Sequence, residues 1–555
     1  MPTLNWIGKD AVVKYHKDVP YRLLEPVAEL SCGDPDSGNL IVQGDNLHAL
    51  KALLPRYAGQ VKCIYIDPPY NTGNEGWVYN DNVNSPEIRK WLHDTVGKED
   101  EDLSRHDKWL CMMYPRLVLL KQFLSDDGAI FVSIDDNETG SLRFLMDEIF
   151  GRNQRMATFS WRTAGNFDNQ AKIKISHEYI LMYSLQPDKF PHPPVVDPST
   201  GEQSKLNRPE IRNTIVKNGQ KNPISRITLP VGFPTDFDEG TIEQRNDSWP
   251  HIESDLEIRA RKTLNQSIVS SGWSSKRLLT QFIEGNLQPV LDTKGQLTRF
   301  IMTSTGAIES IKKRETPSHV ISNLTGFGST QAASADLSQL GISFSYPKPV
   351  DLISYIVSLV YDKNCLVLDS FAGSGTTGQA VLNQNTQDGG NRKFILVEMD
   401  EQIARNVTAE RLRRVASGHT NAKGKPIKGL GGGFQYCTLS DEPLFDATGA
   451  VREDVRFDQL AEFVWFAETG SGFSGRADTP LIGVEANDRG IYLLYNGILK
   501  DRSVDGGNVL TAKVLELLPP HDGPRVIYAA ACRLGAKRLA REGIVFKQTP
   551  YALEV

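Results

Sequence analysis

Two stretches of the chain, 39–185 and 341–416, alternate short β-branched apolar runs with segments of helical periodicity. This alternation is typical of a mostly parallel sheet that is covered by helices on both faces. The stretch between 155–161 and 177–184 shows no obvious helix, so these two strands are expected to pair antiparallel at a sheet edge. The predicted strands are 40–45, 61–67, 129–135, 155–161, 177–184, 364–371 and 393–400.

Between the two stretches the strand-helix alternation disappears, and Pro, Ser, Thr, Gly and Asn become common. This change predicts a separate, irregular module inserted in the α/β domain. A glycine- and lysine-rich stretch at 421–433 predicts a linker before a last, small α/β domain. The expected domains are an N-terminal extension (1–38), a first α/β half (39–189), the insertion (190–340), a second α/β half (341–420), the linker (421–440) and a C-terminal domain (441–555).

The chain has 555 residues and a net charge of -6. Its length predicts more than one domain. The sequence shows no apolar run long enough to span a bilayer and no signal-peptide core, so we expect a cytoplasmic protein without membrane contact. Its six cysteines are scattered without a CxxC pair, which argues against a structural zinc or a disulfide framework. Dedicated DNA binders are usually basic, so any contact with nucleic acid must come from a local patch.

A glycine-rich loop, 369–378, lies between a predicted strand and a helix. Its glycines allow the backbone to approach a ligand, and Glu398 at the end of the next strand could accept hydrogen bonds from ribose hydroxyls. The loop could therefore bind S-adenosylmethionine. Its spacing also fits the GxGxxG pattern of dinucleotide sites, and it could instead be a turn with a purely structural role. Asp369 favours S-adenosylmethionine, because a carboxylate here would repel a pyrophosphate and stabilise a cationic sulfonium ligand. The candidate cofactor residues are Asp369, Phe371, Ala372, Gly373, Ser374, Gly375, Thr376 and Glu398.

The tetrapeptide Asp67-Pro68-Pro69-Tyr70 follows the predicted strand 61–67. This tetrapeptide resembles the catalytic motif of the amino-methyltransferases of DNA. Their substrate, the amino group of a base, is a poor nucleophile, because its lone pair is delocalised into the ring. The Asp67 carboxylate and the Pro68 carbonyl could accept its two hydrogens and stabilise the positive charge that develops on its nitrogen. The prolines fix the backbone, and Tyr70 offers a ring for stacking on an extruded base. A rigid turn with a capping Asp is the structural alternative.

The tetrapeptide together with the FxGxG of Phe371, Gly373 and Gly375 resembles the amino-methyltransferases of DNA. The resemblance implies methyl transfer from S-adenosylmethionine to a base amino group in double-stranded DNA, without a metal. In that family DPPY is associated with adenine N6 and SPPY more often with cytosine N4, so adenine is expected and cytosine is the alternative.

Other functions fit the sequence less well. Methyltransferases of RNA or of protein glutamine use a similar NPPY, but they usually keep the cofactor motif first and lack a large insertion after the catalytic motif. A non-catalytic DNA-binding subunit would not need the intact motifs. A dinucleotide oxidoreductase gives no account of DPPY.

The catalytic motif here precedes the cofactor loop, which fits a circularly permuted chain that begins at the third strand of a seven-stranded, Rossmann-like sheet. This order resembles the β class of these enzymes, in which the insertion, here 190–340, is the target recognition domain. By the same resemblance Asp45 would bind the adenine part of the cofactor, although it could also cap the following helix. Phe344, Lys348 and Pro349 would form the motif that walls the methionine end of the cofactor, with a loop-to-helix cap as the alternative.

Three segments narrow the resemblance to the modification subunits of Type III restriction systems. They are 67–73, 112–138 and 177–183, and the additional C-terminal domain agrees with them. The resemblance implies a homodimer and a separate restriction subunit that carries the nuclease and helicase.

The insertion contains a basic stretch, 203–226, with six Lys and Arg against the single acidic residue Glu210. Contacts with phosphates need such local charge, although a solvated loop without a partner would look the same. The candidate DNA-binding residues are Lys205, Arg208, Arg212, Lys217, Lys221 and Arg226.

Overall fold

The computed structural model describes most of the chain. The described residues are 3–34, 37–72, 90, 93–94, 104–163, 172–201, 204, 208–293, 295–313, 318–421, 424–500 and 507–549. The chain divides into two compact units: one is formed by the residues up to Pro193 and from Ile321 onwards, and the other is Pro194–Val320. Each unit has a hydrophobic core of its own.

Strands and helices alternate in the first unit, whereas strands dominate the second. The strands are β1 Arg22–Pro26, β2 Leu40–Gln43, β3 Val61–Ile66, β4 Leu124–Ile134, β5 Arg155–Arg162, β6 His177–Ser184, β7 Glu210–Thr214, β8 Ser225–Leu229, β9 Glu239–Ile242, β10 His251–Ile252, β11 Leu256–Arg259, β12 Lys262–Thr263, β13 Ser267–Ser271, β14 Val290–Leu291, β15 Leu297–Met302, β16 Ile308–Lys313, β17 Asn323–Leu324, β18 Leu366–Asp369, β19 Lys393–Glu398, β20 Gly418–Thr420, β21 Pro426–Lys428, β22 Gln435–Pro443, β23 Leu481–Val484, β24 Gly490–Leu493, β25 Val509–Leu510, β26 Arg525–Ala529, β27 Ala531–Cys532 and β28 Ile544–Gln548.

The helices are α1 Lys9–Val12, α2 Tyr15–Asp18, α3 Asn46–Tyr57, α4 Arg105–Phe123, α5 Thr139–Ile149, α6 Lys276–Glu284, α7 Thr330–Gln339, α8 Val350–Ser358, α9 Thr376–Asp388, α10 Glu401–Ile403, α11 Glu410–Ser417, α12 Phe457–Thr469, α13 Ala512–Leu517 and α14 Ala536–Arg541. Between α10 and α11 the chain forms a π-helical segment, Ala404–Ala409.

The main sheet of the first unit runs in the order β1-β22-β2-β19-β18-β3-β4-β6-β5-β17. The neighbours from β2 to β4 are parallel, and β6 runs antiparallel to both β4 and β5. In the strand numbering of the common methyltransferase fold, the order from β2 to β5 reads 3-2-1-4-5-7-6. This order confirms the predicted permuted, mostly parallel sheet and its antiparallel edge pair.

The sheet is wider than the seven strands that the sequence predicts. β1 and β22 extend it beyond β2, and β17 extends it beyond β5. β22 lies partly in the stretch 421–440 that was expected to be a linker. A Cβ on Gly433 would come within 2.4 Å of the Cys32 carbonyl, and one on Gly429 within 2.2 Å of the Ala416 carbonyl. Glycines in this stretch therefore permit close backbone packing, a role that composition does not distinguish from chain flexibility.

The insertion is also shorter than the sequence suggests. The second unit ends at Val320, because β17 pairs with β5 and belongs to the first unit together with α7. It contains three antiparallel sheets, β10-β13-β8, β12-β11-β9 and β14-β15-β16-β7, together with α6.

The C-terminal segment has a four-stranded sheet, β23-β24-β26-β28, but belongs to the first unit. Its helix α12 packs against α3, where Arg56 Nη1 lies 2.8 Å from Glu462 Oε1. Of the helices in the described ranges, none is both long enough and apolar enough to cross a bilayer.

The placement of β22 in the sheet is open to a stability test. Tyr436 is fully buried in β22, and its hydroxyl donates to Gln43 Oε1 at 2.8 Å. We expect Tyr436→Ala to lower the free energy of unfolding by about 3 to 5 kcal/mol, since it leaves a large cavity. The measurement is urea denaturation followed by circular dichroism.

The control is Tyr361→Ala, which removes the same atoms from a residue of the first unit that is 63% exposed. Its expected effect is within about 0.5 kcal/mol. Equally small effects of both substitutions would show that this stretch is a linker.

Candidate active site

The catalytic tetrapeptide and the glycine-rich loop meet at the carboxyl edge of the main sheet. β18 lies between β19 and β3 and is parallel to both, so the segments that follow these strands emerge side by side. Ligands of open α/β sheets bind at this edge, and a cavity lies here. Its lining residues are Tyr65, Asp67, Phe344, Tyr346, Pro347, Lys348, Asp369, Phe371, Ala372, Gly373, Ser374, Thr376 and Thr377.

Most of these lining residues are among those that the sequence predicts. Four predicted cofactor residues do not line the cavity, namely Asp45, Pro349, Gly375 and Glu398. Pro349 is the residue immediately before α8 and acts as its N-cap position, which agrees with the loop-to-helix alternative for this motif.

Asp369 ends β18 and is 2% exposed. Its carboxylate accepts hydrogen bonds from the Phe371 N–H at 3.0 Å and from the Thr377 hydroxyl at 2.6 Å. Burial raises the pKa of Asp369 to about 7, although both hydrogen bonds act to lower it, and the charge of Asp67 adds to the rise. Both of these donors are neutral, so within the described residues the hydrogen bonds to this buried acid come from uncharged groups.

Glu398 holds the glycine-rich loop in place. Its Oε2 accepts from the Gly373 N–H at 2.9 Å, and its Oε1 accepts from the Asp400 N–H at 2.9 Å. Gly373 and Gly375 both have positive φ, at 50° and 76°, a region that favours glycine. These two glycines turn the chain from β18 into α9, and the carboxylate fixes the turn.

A buried arginine that the sequence analysis did not single out braces the same loop. The Nη1 of Arg411 donates to the Ser374 hydroxyl at 2.8 Å and to the Thr376 hydroxyl at 2.9 Å, and its Nε donates to Gln379 at 2.7 Å. Burial lowers the pKa of Arg411 to about 9. In the sequence it is one of several arginines between 401 and 416, and only the fold distinguishes it from the others.

The catalytic tetrapeptide is anchored by Trp109. Its indole Nε1 donates to the Pro69 carbonyl at 2.6 Å. Asn71, which follows the tetrapeptide at a positive φ of 61°, donates to the buried carboxylate of Glu138 at 2.5 Å. No hydrogen bond to the Pro68 carbonyl is found within the described part of the chain. The backbone is thus fixed on both sides of Pro68.

Lys348 lies against Asp67 and Tyr70, the predicted catalytic residues, although the resemblance assigns it to the cofactor. Its Nζ is 3.0 Å from Asp67 Oδ1, 2.8 Å from the Tyr70 hydroxyl and 3.2 Å from Glu178 Oε2. The Tyr70 hydroxyl donates in turn to Glu178 Oε2 at 2.9 Å. Burial disfavours the charged forms of Asp67 and Lys348. It raises the pKa of Asp67 above its ordinary value. The two carboxylates outweigh burial at Lys348 and raise its pKa.

Glu178 is a site residue that sequence reasoning missed. It follows His177 at the start of β6, a strand that the sequence places at a sheet edge. The sequence feature that could have indicated it is a charged residue at the start of an otherwise apolar strand. The last five positions of this strand are all buried. Such a position does not show which neighbouring element the carboxylate faces.

Asp45 caps α3, which is the structural alternative for this residue. Its Oδ1 accepts from the N–H groups of Leu47 and His48 at 3.0 and 3.1 Å. Its Oδ2 lies 3.2 Å from Nη2 of Arg116, a guanidinium that is 2% exposed. The cap leaves the side chain of Asp45 31% exposed, so capping and cofactor binding remain compatible.

The predicted DNA-binding residues lie in the second unit. The described ones are exposed: Arg208, Arg212, Lys217, Lys221 and Arg226. Arg212 lies 3.7 Å from Glu210, and Arg226 pairs with Glu253, so a phosphate would compete with carboxylates at these two positions. Lys205 lies outside the described residues.

Comparison with known proteins agrees with this site. A family model described as DNA methylase matches residues 61–410. The Type III restriction-modification enzyme StyLTI Mod subunit of Salmonella typhimurium is 30% identical over 74% of this chain and 60% of its own length. The EcoPI Mod subunit of Escherichia phage P1 is 32% identical over 73% of this chain and 65% of its own length.

A shorter relative, the Type II methyltransferase M.KpnI of Klebsiella pneumoniae, is 27% identical over 73% of this chain and 94% of its own length. The chain therefore spans less than two thirds of the two Mod subunits and matches nearly all of the Type II enzyme. The family model covers more than half of the chain, including both motifs of the candidate site, and the chain accordingly belongs to the DNA methylase family.

Proposed function

We propose that this chain transfers a methyl group from S-adenosylmethionine to N6 of adenine in double-stranded DNA. The observation that carries the proposal is a pair of carboxylates at one sheet edge, where Asp369 is 2% exposed and the side chain of Asp67 is 13% exposed. Asp67 follows β3 and Asp369 ends the adjacent β18, and both line the same cavity. One can accept the hydrogens of an amino group, and the other can hold a cation.

The residues around Asp369 suit this cofactor. A buried carboxylate that accepts hydrogen bonds from the neutral groups of Phe371 and Thr377 is stabilised by a cationic ligand. The loop 371–376 would hold the methionine portion, and S-adenosylmethionine, when bound, supplies an activated methyl group. Phe344, Tyr346, Pro347 and Lys348 also line this cavity.

The chemistry required of the protein is to orient an amino group and to stabilise its developing charge. Asp67 and the Pro68 carbonyl would accept the two N–H hydrogens, so that the nitrogen lone pair is free to attack. The ring of Tyr70 would stack on the extruded base. Adenine and cytosine both carry such an amino group, and Asp in the tetrapeptide favours adenine through the family resemblance.

The second unit would bind the DNA around the target base. Its exposed basic residues between 208 and 226 provide phosphate contacts. Because the first relatives are Mod subunits, we further propose a cytoplasmic homodimer that works with a separate restriction subunit. M.KpnI supports a second candidate, a methyltransferase that acts alone, because it matches this chain over nearly its whole length.

The role of Asp67 can be tested by removing its charge. We expect Asp67→Asn to lower the rate of methyl transfer to unmodified DNA by about 10²–10³-fold, because the developing positive charge loses its counter-charge. Binding of S-adenosylmethionine, measured by calorimetry, should change little. Asp126→Asn is the control, since this carboxylate of the same unit is 59% exposed in its side chain. Loss of cofactor binding together with activity would contradict the assigned role.

The role of Asp369 predicts a pH dependence of cofactor binding. Its pKa is raised to about 7 in the free protein, and only the ionised form attracts a cation. Affinity should therefore be full above about pH 7 and fall by up to about tenfold per pH unit below it. The measurement is the dissociation constant of S-adenosylmethionine from about pH 5.5 to about pH 7.5, below the range in which the ligand's own amino group titrates.

Two variants identify the group that titrates. Asp369→Asn should bind the cofactor weakly and with no slope over this range, whereas Asp67→Asn should keep the slope. A slope that survives in Asp369→Asn would assign the cation to another carboxylate.

A further inference from the structure

The ammonium of Lys348 is enclosed by three oxygen atoms of the candidate active site. These belong to Asp67, Tyr70 and Glu178, at 3.0, 2.8 and 3.2 Å. The ammonium donates a hydrogen bond to the Tyr70 hydroxyl and forms ion pairs with the two carboxylates. The side chain of Lys348 is 5% exposed, so this arrangement is built into the interior and is not a surface ion pair.

The charges in this cluster do not cancel. Asp67 and Glu178 carry two negative charges against the single positive charge of Lys348. Tyr70 contributes none, because burial and the two carboxylates raise its pKa well above the ordinary value. One negative charge is left over, and the positive charge that develops on a methylated amino nitrogen would balance it.

Glu178 also controls the position of its neighbours. It accepts the Tyr70 hydroxyl at 2.9 Å and contacts Lys348 with the same oxygen. Without this second carboxylate, Lys348 would pair with Asp67 alone and neutralise it. Without Lys348, two buried carboxylates would face each other, and one of them would take up a proton.

We propose that Lys348 and Glu178 are positioning residues for methyl transfer: Lys348 keeps the Asp67 carboxylate ionised and oriented, and Glu178 holds Lys348 and Tyr70 so that Asp67 retains its net charge. This inference rests on the proposed function. It gives Lys348 a role towards the target base that is separate from the cofactor.

The titration of Asp67 depends on a small set of neighbours. Lys348 comes from the segment before α8, Glu178 from β6, Tyr65 from β3, Tyr70 from the tetrapeptide and Asp369 from β18. Burial raises the pKa of Asp67, Lys348 lowers it and Glu178 raises it. Removing either charge should therefore move this pKa, and the two removals should move it in opposite directions.

The test compares Lys348→Met with Glu178→Gln. The measurement is the single-turnover rate of methyl transfer with saturating cofactor and unmodified DNA, as a function of pH. The acidic limb of the profile is the pH range in which the rate falls as Asp67 takes up a proton. In Lys348→Met this limb should move to higher pH by about one unit or more. In Glu178→Gln the limb should move downward, and the plateau rate should fall as Lys348 neutralises Asp67.

Two further variants show whether the effect of Lys348→Met comes from the lost charge or from altered packing. Lys348→Arg keeps the positive charge and should leave the limb near its wild-type position. Lys189→Met removes an exposed ammonium that pairs with Asp126, and it should leave the whole profile unchanged. If Lys348→Met and Glu178→Gln lower the rate without moving the limb, or move it in the same direction, the inference is overturned.

A second readout does not require activity. Protein labelled with carbon-13 at the aspartate carboxyl groups gives a signal for Asp67, assigned by its loss in Asp67→Asn. Its titration should shift upward in Lys348→Met and downward in Glu178→Gln, and unchanged titration in both would refute the coupling. An inactive wild-type protein would refute the proposed function, whereas this titration would still decide the inference.

Discussion

The parallel pairing of β18 with β3 on one side and β19 on the other is the constraint on which the candidate site depends. β3 is far from the other two strands in the chain, yet the carboxyl ends of all three reach the same edge. This pairing brings Asp67, Asp369 and Glu398 together. The circular permutation changes the order in which the strands are made and leaves their neighbours unchanged. A chain that presents its catalytic motif first can therefore build the same edge as one that presents its cofactor motif first.

The carboxyl edge of the sheet carries two carboxylates, Asp67 and Asp369, whose removal from water is unfavourable for stability. Asp369 is buried and the side chain of Asp67 is only 13% exposed, and loss of solvent raises the pKa of each. Desolvating a carboxylate is costly unless a cation or several donors compensate it. Under the proposed function these groups share a purpose, because a methyl donor is cationic and the amino group becomes cationic as it is methylated. Perturbed carboxylates of this kind are concentrated at functional sites.

Sequence reasoning was most successful where periodicity and short motifs coincided. The buried strands before Asp67 and Asp369 could be predicted from their apolar runs, and the tetrapeptide and glycine loop follow them directly. It was less successful where a residue's role depends on a distant neighbour. Nothing local in the sequence shows that Lys348 reaches Glu178, because the two are placed together only by the fold. The glycines at 429–433 predicted a linker, since close packing of backbones and chain flexibility require the same residue type.

The central claim is that the adenine amino group receives the methyl group. The most direct measurement uses S-adenosylmethionine with a labelled methyl group, unmodified double-stranded DNA, and digestion to nucleosides that are identified by mass. We expect label in N6-methyldeoxyadenosine. Label in N4-methyldeoxycytidine would contradict the choice of base while keeping the site. An absence of label from DNA, with a protein that binds the cofactor, would contradict the proposed methyl transfer itself.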